Sequence, residues 1–224
     1  MRTFAIGDIH GCNTALQILD EQLQFGTGDV IVTLGDYVDR GPDTKGVINH
    51  LLKLRNRVTL LPLRGNHEVM MLESRTDRAT RLAWYDCGGA ETLESYGVKN
   101  LSDIPERHWA FLESTLPVYE TATDIFVHAN LRAHLPPWQQ PESVIYWERL
   151  QFCVPHKSGR RMICGHTPQK DGAPLNLGYA VCIDTHAYGT GWLTCLDVSS
   201  GKYWQANELG QFREGELGAA VEKV

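Results

Sequence analysis

The 224-residue sequence lacks several patterns that would place it in a common functional class. Its six cysteines include no C-x-x-C pair, which argues against a zinc ribbon and against a thioredoxin-type redox site. No apolar run approaches the roughly 18 residues of a membrane span. The net charge of -6 comes without a basic block, so neither nucleic acid nor a membrane is an expected partner.

The N-terminus also lacks the pattern of a secretory leader. The stretch MRTFAIGDIHG reaches a polar motif at Gly7, without the longer apolar segment that a leader needs. Repeats, linkers and low-complexity tracts are missing as well. We therefore expect a soluble, cytoplasmic protein with reduced thiols. The 42% hydrophobic content is enough for a sizeable core, and we expect one domain over residues 1–224.

Five short apolar runs each end in a polar cluster. The runs TFAI, VIVTL and VTLLPLR lead into GDIHG, GDYVDRG and GNHE, while IFV and RMIC lead into HAN and GHT. Residues 12–24 and 43–54 are predicted helices, so the opening half reads β-α-β-α-β with a parallel sheet. In such sheets ligands bind at the carboxyl ends of the strands. We therefore expect the five clusters to converge on one site.

The rest of the chain is less regular. Residues 69–117 are predicted to be mostly helical, with breaks at Gly88-Gly89 and Gly97, and to form a lid or insertion over the site. From Met162 onward, four short apolar segments separated by turn residues predict strands. The polar, glycine-dotted tail after Asn207 is expected to be a loose end.

Other polar residues receive plainer interpretations. Glu68 is expected to favour the first turn of the helix that follows GNHE and to touch no metal. Arg75, Arg78 and Arg81 are interpreted as a solvated helix face, with attraction of a phosphopeptide as the alternative. The histidines that lie outside the clusters are interpreted as surface or loop residues: His50, His108, His134 and His156.

The clusters contain a set of carboxylate, imidazole and amide groups. The six candidate metal ligands are Asp8, His10, Asp36, Asn66, His128 and His166. These mixed donors suit Mn, Fe or Zn better than Mg or Ca. Six ligands are too many for one four-coordinate ion, whereas a carboxylate can bridge two ions about 3.5 to 4 Å apart. We therefore predict two divalent metal ions, with Mn2+ favoured, bridged by Asp36. Asp8 and His10 would complete one ion, and the other three ligands the second.

The cluster GDYVDRG contains more than a turn requires. Arg40 would lie near the ions, where its planar guanidinium can hold two phosphate oxygens. Asp39 is free to pair with His67. A carboxylate beside an imidazole raises the pKa of the imidazole, which then stays protonated and can act as a general acid. One acid or base supplies only about 10^2 to 10^4-fold acceleration, whereas the slowest phosphate monoester hydrolyses need up to ~10^21-fold. A metal pair is therefore the expected partner of His67.

Taken in order, GDIHG, GDYVDRG, GNHE, HAN and GHT resemble the motifs of the metal-dependent phosphoprotein phosphatases among the calcineurin-like metallophosphoesterases. The resemblance runs from Gly7 to about Asp197 and is nearest to the bacterial serine/threonine branch. It implies an α/β fold with a central β-sandwich flanked by helices. It also implies the six ligands above, His67 as catalytic acid with Asp39 as its partner, and Arg40 as a phosphate-binding residue.

Three further positions follow from the resemblance. Arg149 in YWERL is similar in setting to a second phosphate-binding arginine. The family more often has glycine where this chain has Asn130 and His186. His186 could crowd the site, contact a phosphate or point away, and it is not a predicted ligand. Tyr188 nearby could line the pocket, but packing is the simpler interpretation.

Three functions remain open. The favoured one is a dinuclear phosphomonoesterase that removes phosphate from phosphoserine, phosphothreonine or phosphotyrosine in a protein or peptide by direct attack of a metal-bound hydroxide. A symmetrical diadenosine tetraphosphate hydrolase shares GDIHGC, but that branch typically lacks an aspartate at the position of Asp39 and has GNHD. A non-catalytic metal-binding module would require the loss of a ligand or of the acid, and none is missing. Oligomeric state and physiological substrate stay open.

Overall fold

Two β-sheets form the centre of the protein. The computed structural model describes residues 2–221, apart from the side chain of Phe152. The strands are β1 Thr3–Ile6, β2 Val30–Thr33, β3 Thr59–Pro62, β4 Val118–Glu120, β5 Asp124–Val127, β6 Arg161–Cys164, β7 Leu175–Asn176, β8 Ala180–Cys182, β9 Asp184–Thr185, β10 Trp192–Asp197, β11 Lys202–Ala206 and β12 Phe212–Glu216. The α-helices are α1 Asn13–Leu23, α2 Thr44–Leu54, α3 Asn66–Glu73, α4 Arg78–Trp84, α5 Ala90–Tyr96, α6 Glu106–Glu113 and α7 Glu142–Ile145.

The first sheet has the order β12-β11-β10-β1-β2-β3, and β9 also pairs with β10. Strands β1, β2 and β3 are parallel to one another, as the β-α-β-α-β reading predicted, while β10 joins β1 antiparallel. The second sheet has the order β4-β5-β6-β8-β7, in which β5, β6 and β8 are parallel. The parallel strands of both sheets carry the polar clusters at their carboxyl ends.

The expectation of a loose end after Asn207 is wrong for residues 212–216. These residues form β12, which pairs antiparallel with β11 over its whole length. The segment contains few apolar residues because it is an exposed edge strand, so hydrophobic alternation does not mark it. A side-chain hydrogen bond of 2.7 Å from Arg213 Nε to Gln205 Oε1 also ties it to its neighbour.

Apolar residues fill the space between the two sheets. Val32 and Leu34 from the β2 region and Phe126 and Val181 from the second sheet belong to one fully buried cluster. A second cluster joins the other face of the first sheet to the helices, and a third covers the outer face of the second sheet. This arrangement confirms the predicted sandwich of two sheets with helices on its outer faces.

Helix α2 shows why the local sequence folds as it does. The side chain of Asp43 caps the helix by accepting a hydrogen bond of 2.8 Å from Gly46 N. Val47, Leu51 and Leu54 then recur at helical spacing and are fully buried. None of the helices in residues 2–221 is long and apolar enough to cross a membrane.

Helices α3 to α6 occupy most of the segment 69–117. The predicted break at Gly88-Gly89 is a π-helical turn over Tyr85–Gly89, in which Gly88 has a φ of 115°. The predicted break at Gly97 is the left-handed residue that ends α5, with a φ of 70°. Both positions need backbone angles that glycine adopts easily.

The interpretation of His108 as a surface or loop residue is wrong. Its side chain is fully buried in α6, where the Tyr96 hydroxyl lies 2.6 Å from Nδ1 and Asn49 Oδ1 lies 3.2 Å from Nε2. His50 is half buried in α2, with Nε2 2.9 Å from a carboxylate oxygen of Asp20. Sequence context missed both residues because their partners lie on other helices.

Candidate active site

The loops that follow β1, β2, β3, β5 and β6 bring the predicted ligands together around Asp36. Its Oδ2 lies 3.4 Å from His10 Nε2, and its Oδ1 lies 3.5 Å from His128 Nε2. His128 Nε2 is also 3.0 Å from Asn66 Oδ1 and 3.2 Å from His166 Nδ1. Asp36 therefore stands between a group that contains His10 and a group that contains the other two histidines.

Backbone carbonyls set the orientation of three imidazoles. In each ring one nitrogen donates to a carbonyl oxygen, which can only accept, so the other nitrogen carries a lone pair toward the site. The pairs are His10 Nδ1 to Val38 at 2.9 Å, His128 Nδ1 to Leu34 at 2.8 Å and His166 Nε2 to Trp147 at 3.0 Å. Neutral imidazoles held in this way are typical metal ligands.

Burial also favours the neutral form of these rings. It lowers the pKa of His10 and of His128, although the nearby Asp36 carboxylate opposes the shift. It lowers the pKa of His166 to about 3, with the neighbouring His128 ring contributing. Three unprotonated imidazoles beside an ionised carboxylate form a site that a divalent cation can occupy without first displacing protons from nitrogen.

Two three-residue groups have ligand atoms close enough to share an ion. One consists of His10, Asp36 and His67, and the other of Asp36, His128 and His166, with all ligand atoms of a group within 4.8 Å of one another. Asp36 belongs to both groups, the position that a bridging carboxylate requires. His67 occupies the place in the first group where Asp8 was predicted.

Asp8 lines the same pocket but uses its oxygens differently. Both accept from the backbone N–H of His166, at 3.2 and 3.0 Å. The carboxylate leaves no space beside it, since a Cβ on Gly165 would lie 1.9 Å from Asp8 Oδ1. A Cβ on Gly65 would similarly lie 2.1 Å from Asp36 Oδ1. The glycines of GHT and GNHE are therefore required by the close approach of the backbone to the carboxylates.

Several site residues have strained backbones. Left-handed φ angles between 44° and 71° occur at His10, Asp36, Asp39, Arg40, His166 and His186. Such angles cost a non-glycine residue on the order of 1 kcal/mol or more. Their concentration in four loops around one pocket shows that the fold holds these residues in place against local preference.

Asp39 and His67 form the predicted pair. His67 Nδ1 lies 2.7 Å from Asp39 Oδ2, and His67 Nε2 lies 4.0 Å from Asp36 Oδ2. Both side chains are almost completely buried. Burial alone would lower the pKa of His67, but the carboxylates of Asp36 and Asp39 outweigh it and raise the pKa above its usual value. The ring is therefore suited to carry a proton on Nε2.

Sequence reasoning missed two residues that hold Asp39. Trp84 Nε1 donates to both carboxylate oxygens at 3.0 and 2.9 Å, and Thr92 Oγ1 donates to Oδ1 at 2.8 Å. Thr92 Oγ1 also accepts from the Asp39 backbone N–H at 2.9 Å. The π-helical turn also holds this loop, because Gly88 O accepts a hydrogen bond of 3.2 Å from Arg40 N. The segment 69–117 thus supports the GDYVDRG loop from behind.

Glu68 does more than begin a helix. It lies in the first turn of α3 as expected, but its buried carboxylate reaches the preceding loop. Oε2 accepts from Asp36 N at 2.7 Å and from Gly65 N at 2.8 Å, while Oε1 accepts from Tyr37 N at 2.8 Å. Burial raises the pKa of Glu68 to about 7, with Asp36 adding to the rise. Glu68 joins the GDYVDRG and GNHE loops.

The pocket in front of these groups has a volume of about 250 Å³. Its walls include the predicted ligands Asp8, Asp36, Asn66 and His166, together with His67, Arg40, Arg149, Trp147, Pro168, Asp184 and Tyr188. The Arg40 guanidinium lies 4.7 Å from the centre of the Tyr188 ring, and its Nη1 donates to His10 Nε2 at 3.0 Å. Of the two interpretations of Tyr188, the structure therefore favours a residue that lines the pocket.

Of the three possibilities for His186, the structure favours a ring that points away from the pocket. Its ring lies edge-on to Tyr188, with 4.6 Å between ring centres, and it is outside the described lining of the pocket. Its backbone N–H donates to Asp184 Oδ1 at 3.0 Å. The φ of 64° explains why glycine suits this position.

Asn130 fixes the backbone that carries Arg149. Its Nδ2 donates to Glu148 Oε1 at 3.0 Å and to the Arg149 carbonyl at 3.3 Å, while its Oδ1 accepts from Leu131 N at 2.8 Å. Asn130 is fully buried. Within residues 2–221 the guanidinium of Arg149 makes no hydrogen bond or ion pair, so it remains available to an anion in the pocket.

Comparison with known proteins agrees with this geometry. The model of calcineurin-like phosphoesterases matches residues 1–189. The chain belongs to the calcineurin-like phosphoesterase family. Members of this metallophosphoesterase family use divalent metals, and the donor set around Asp36 fits such ions.

Relatives within the calcineurin-like phosphoesterases have different substrates in their names. Serine/threonine-protein phosphatase 1 of Salmonella typhimurium is 37% identical over 209 residues, which is 87% of this chain and 91% of that protein. A symmetrical bis(5'-nucleosyl)-tetraphosphatase of Coxiella burnetii is 30% identical over 160 residues, 69% of this chain and half of that protein.

Solved structures support the calcineurin-like fold. A putative diadenosine tetraphosphatase has a TM-score of 0.67 at 19% identity and covers 98% of this chain and 95% of its own. A cold-active protein-tyrosine phosphatase of a Shewanella species has a TM-score of 0.64 at 16% identity, with coverages of 95% and 80%. At such identities the likeness establishes the fold alone.

Proposed function

We propose that the protein is a phosphomonoesterase that removes phosphate from phosphoserine, phosphothreonine or phosphotyrosine in a protein or peptide, with two divalent ions, favoured to be Mn2+. The observation that carries the proposal is a pocket of about 250 Å³ that His67, Arg40 and Arg149 line together with donors around Asp36. A pocket of this size accommodates a phosphoryl group and the side chain that bears it.

The six predicted ligands would hold the ions, with Asp36 shared between them. When bound, two such ions lower the pKa of water toward ~7, orient it and neutralise phosphate charge. The chain's own residues bind and orient the substrate. Arg40 and Arg149 would each donate hydrogen bonds to phosphate oxygens. Tyr188 holds the Arg40 guanidinium, and Asn130 holds the backbone of Arg149.

His67 would supply the proton for the leaving oxygen. Asp39 accepts its Nδ1–H and is itself fixed by Trp84 and Thr92, so the ring cannot rotate away from the pocket. Nε2 then carries the proton that the departing serine, threonine or tyrosine oxygen needs. Asp39 stabilises the charged ring before this transfer.

Sequence similarity favours a protein substrate over a dinucleotide. The similarity to the Salmonella phosphatase extends over 91% of that protein, whereas the Coxiella tetraphosphatase is matched over half its length. The chain also has an aspartate at position 39 and GNHE at 65–68.

The free state of all six cysteines supports a reducing, cytoplasmic location.

A substrate panel tests the proposal. Mn2+-loaded protein should cleave a phosphoserine or phosphothreonine peptide with kcat/KM at least tenfold above that for diadenosine tetraphosphate, and a chelator should abolish both rates. A preference for the dinucleotide would replace the proposal with the tetraphosphatase function. Inertness toward every substrate with every divalent metal would leave a non-catalytic metal-binding module.

A further inference from the structure

A larger cavity of about 560 Å³ lies apart from the active-site pocket. Among the described residues the two share no lining side chain. Its walls come from Arg75 just after α3, from α4 and the π-helical turn that follows it, from residues 99–104 and from α6. Three cations line it: Arg75, Arg81 and Lys99. The interpretation of Arg75 and Arg81 as part of a solvated helix face does not explain why they line a cavity.

Arg81 is fixed in place without losing its charge. Its Nε donates to the Ser74 carbonyl at 2.7 Å, and its Nη2 donates to the Arg75 carbonyl at 3.1 Å. Carbonyl groups are neutral, so they orient the guanidinium without neutralising its charge, and no carboxylate in residues 2–221 forms an ion pair with it. A preorganised arginine of this kind binds an anion at a smaller entropic cost than a mobile one.

The other charged groups leave an excess of positive charge. Arg75 pairs with Glu113 and lies over the Trp109 ring at 4.5 Å, so it contributes structure rather than free charge. Lys99 has no hydrogen bond or ion pair to any other residue in 2–221. Glu106 is the acidic residue of the lining. Arg81 and Lys99 together therefore outweigh Glu106.

The walls also present apolar surface. Tyr85 and Trp109 contribute aromatic side chains, and Leu101 and Ile104 contribute aliphatic ones. The volume lies within the range of about 300 to 1,000 Å³ that is typical of small-molecule sites. An inorganic anion would fill a small part of this space, whereas an organic body attached to the anion would cover the apolar walls.

We propose that this cavity binds a small phosphorylated organic molecule of about nucleotide size. Arg81 and Lys99 would hold the phosphate group, because a guanidinium and an ammonium together can contact several oxygens of one phosphate. The aromatic and aliphatic lining, including Tyr85 and Ile104, would cover the organic body. This site goes beyond the proposed phosphatase activity and does not depend on its substrate.

Calorimetric titration of Mn2+-loaded protein with a nucleoside phosphonate tests the proposal. The probe replaces the bridging ester oxygen of a nucleoside monophosphate by a methylene group, so the active site cannot hydrolyse it. Arg40→Ala should leave one binding event intact. Arg81→Gln with Lys99→Gln should weaken that event at least tenfold. Arg78→Gln removes one positive charge from an exposed position of α4 outside the cavity and should leave binding unchanged.

Several results would overturn the proposal. Arg40→Ala could remove all binding, which would mean that the phosphonate occupies the active site alone. The Arg81→Gln/Lys99→Gln variant could bind like the wild type. Inorganic phosphate could bind at the Arg81 site as tightly as the phosphonate, which would exclude a role for the organic body. An acidic peptide that displaced the phosphonate and bound more tightly would make the cavity a peptide site.

Helix α4 carries both Arg81 and Trp84, so the variants need a separate check. Trp84 holds Asp39, and a disturbed helix would lower the hydrolysis rate for para-nitrophenyl phosphate. An unchanged rate and melting temperature in the double variant would show that α4 is intact. If that variant fails to fold, Lys99→Glu at the exposed lysine keeps the test, with an expected tenfold loss of binding.

Discussion

At the scale of single residues, the active site is defined by how each side chain is held. Three imidazoles are oriented by backbone carbonyls, and Asp39 is held by Trp84 and Thr92. Tyr188 contacts the Arg40 guanidinium, and Asn130 holds the backbone of Arg149. These supports come from parts of the chain far from the residues they hold. A substitution at one of these supporting residues should therefore change one catalytic property, such as KM, and leave the others nearly unaltered.

Tyr188→Leu should release the Arg40 guanidinium that lies 4.7 Å from the ring. A cation–π contact is worth about 0.5 to 2 kcal/mol, so KM for para-nitrophenyl phosphate should rise about 2- to 30-fold, with a smaller change in kcat. Tyr188→Phe keeps the ring and is the matched control. Equal effects in the two variants would show that the hydroxyl matters and that stacking does not.

Asn130→Ala should act through Arg149. Loss of the 3.3 Å hydrogen bond to the Arg149 carbonyl frees the backbone behind that arginine, so KM should rise about tenfold while metal content stays the same. Because both residues act on one contact, Asn130→Ala added to Arg149→Ala should raise KM no further. Independent, additive effects in this double-variant cycle would refute the assignment.

At the scale of helices and loops, the segment 69–117 is a support for the GDYVDRG loop. Trp84 and Thr92 reach Asp39 across 45 and 53 residues of chain. Helices α5 and α6 are joined inside this segment by Tyr96 and His108. Contacts of this kind connect the conformation of the helices to the position of the catalytic pair.

His108 should make stability depend on pH. Burial lowers its pKa from 6.5 to about 4, and Arg107 and Lys45 contribute. Between these values the unfolded chain binds more protons than the folded one, so the free energy of unfolding should rise with pH. His108 contributes at most about 3 kcal/mol to the free energy of unfolding. This contribution is fully present above pH 6.5 and is lost as the pH falls toward 4.

Urea unfolding of wild type and His108→Gln from pH 4 to 7, both with a chelator present, measures this contribution. Other titrating groups are common to the two proteins and cancel in the difference between them. That difference should change across the window from pH 4 to 6.5. A difference that stays constant would mean that His108 titrates normally in the folded protein.

Sequence patterns identified the residues that surround Asp36, but not the groups that hold them in place. Asp36, His128 and His166 stand directly after buried strands, and the carboxyl ends of parallel strands meet at one edge, so local patterns locate them. Glu68 was placed in the right helix, but its acceptor role depends on backbone groups about 30 residues away. Burial of His108 and pairing of β12 depend likewise on tertiary neighbours that periodicity does not specify.

At the scale of the whole molecule, the helical segment and the first sheet share one hydrophobic cluster. Trp84, Trp109 and Phe111 belong to the same buried group as Leu16 of α1 and Leu51 of α2. Shared burial of this extent favours joint unfolding over separate melting of a lid. The single domain over residues 1–224 therefore remains our prediction.

Metal-free protein should unfold in urea as one cooperative unit. Tryptophan fluorescence, which reports on Trp84 and Trp109 in the helical segment and on four tryptophans outside it, should give the same midpoint as far-UV circular dichroism, which follows the entire fold. Two separate fluorescence transitions, or midpoints that differ between the two methods, would contradict unfolding as a single unit. Added Mn2+ should raise the midpoint, since a ligand at 100 times its Kd adds about 2.7 kcal/mol to stability.

The central claim is that Asp36 bridges two cations while His67 serves as an acid and not as a ligand. Elemental analysis after reconstitution with Mn2+ tests it most directly, because His67 lies in one of the two candidate groups. We predict about two ions per chain in wild type. His67→Asn should keep both ions and lose about 10^2 to 10^4-fold in rate, whereas Asp36→Asn should lose metal and rate together. Loss of metal from His67→Asn, or full retention by Asp36→Asn, would contradict the account.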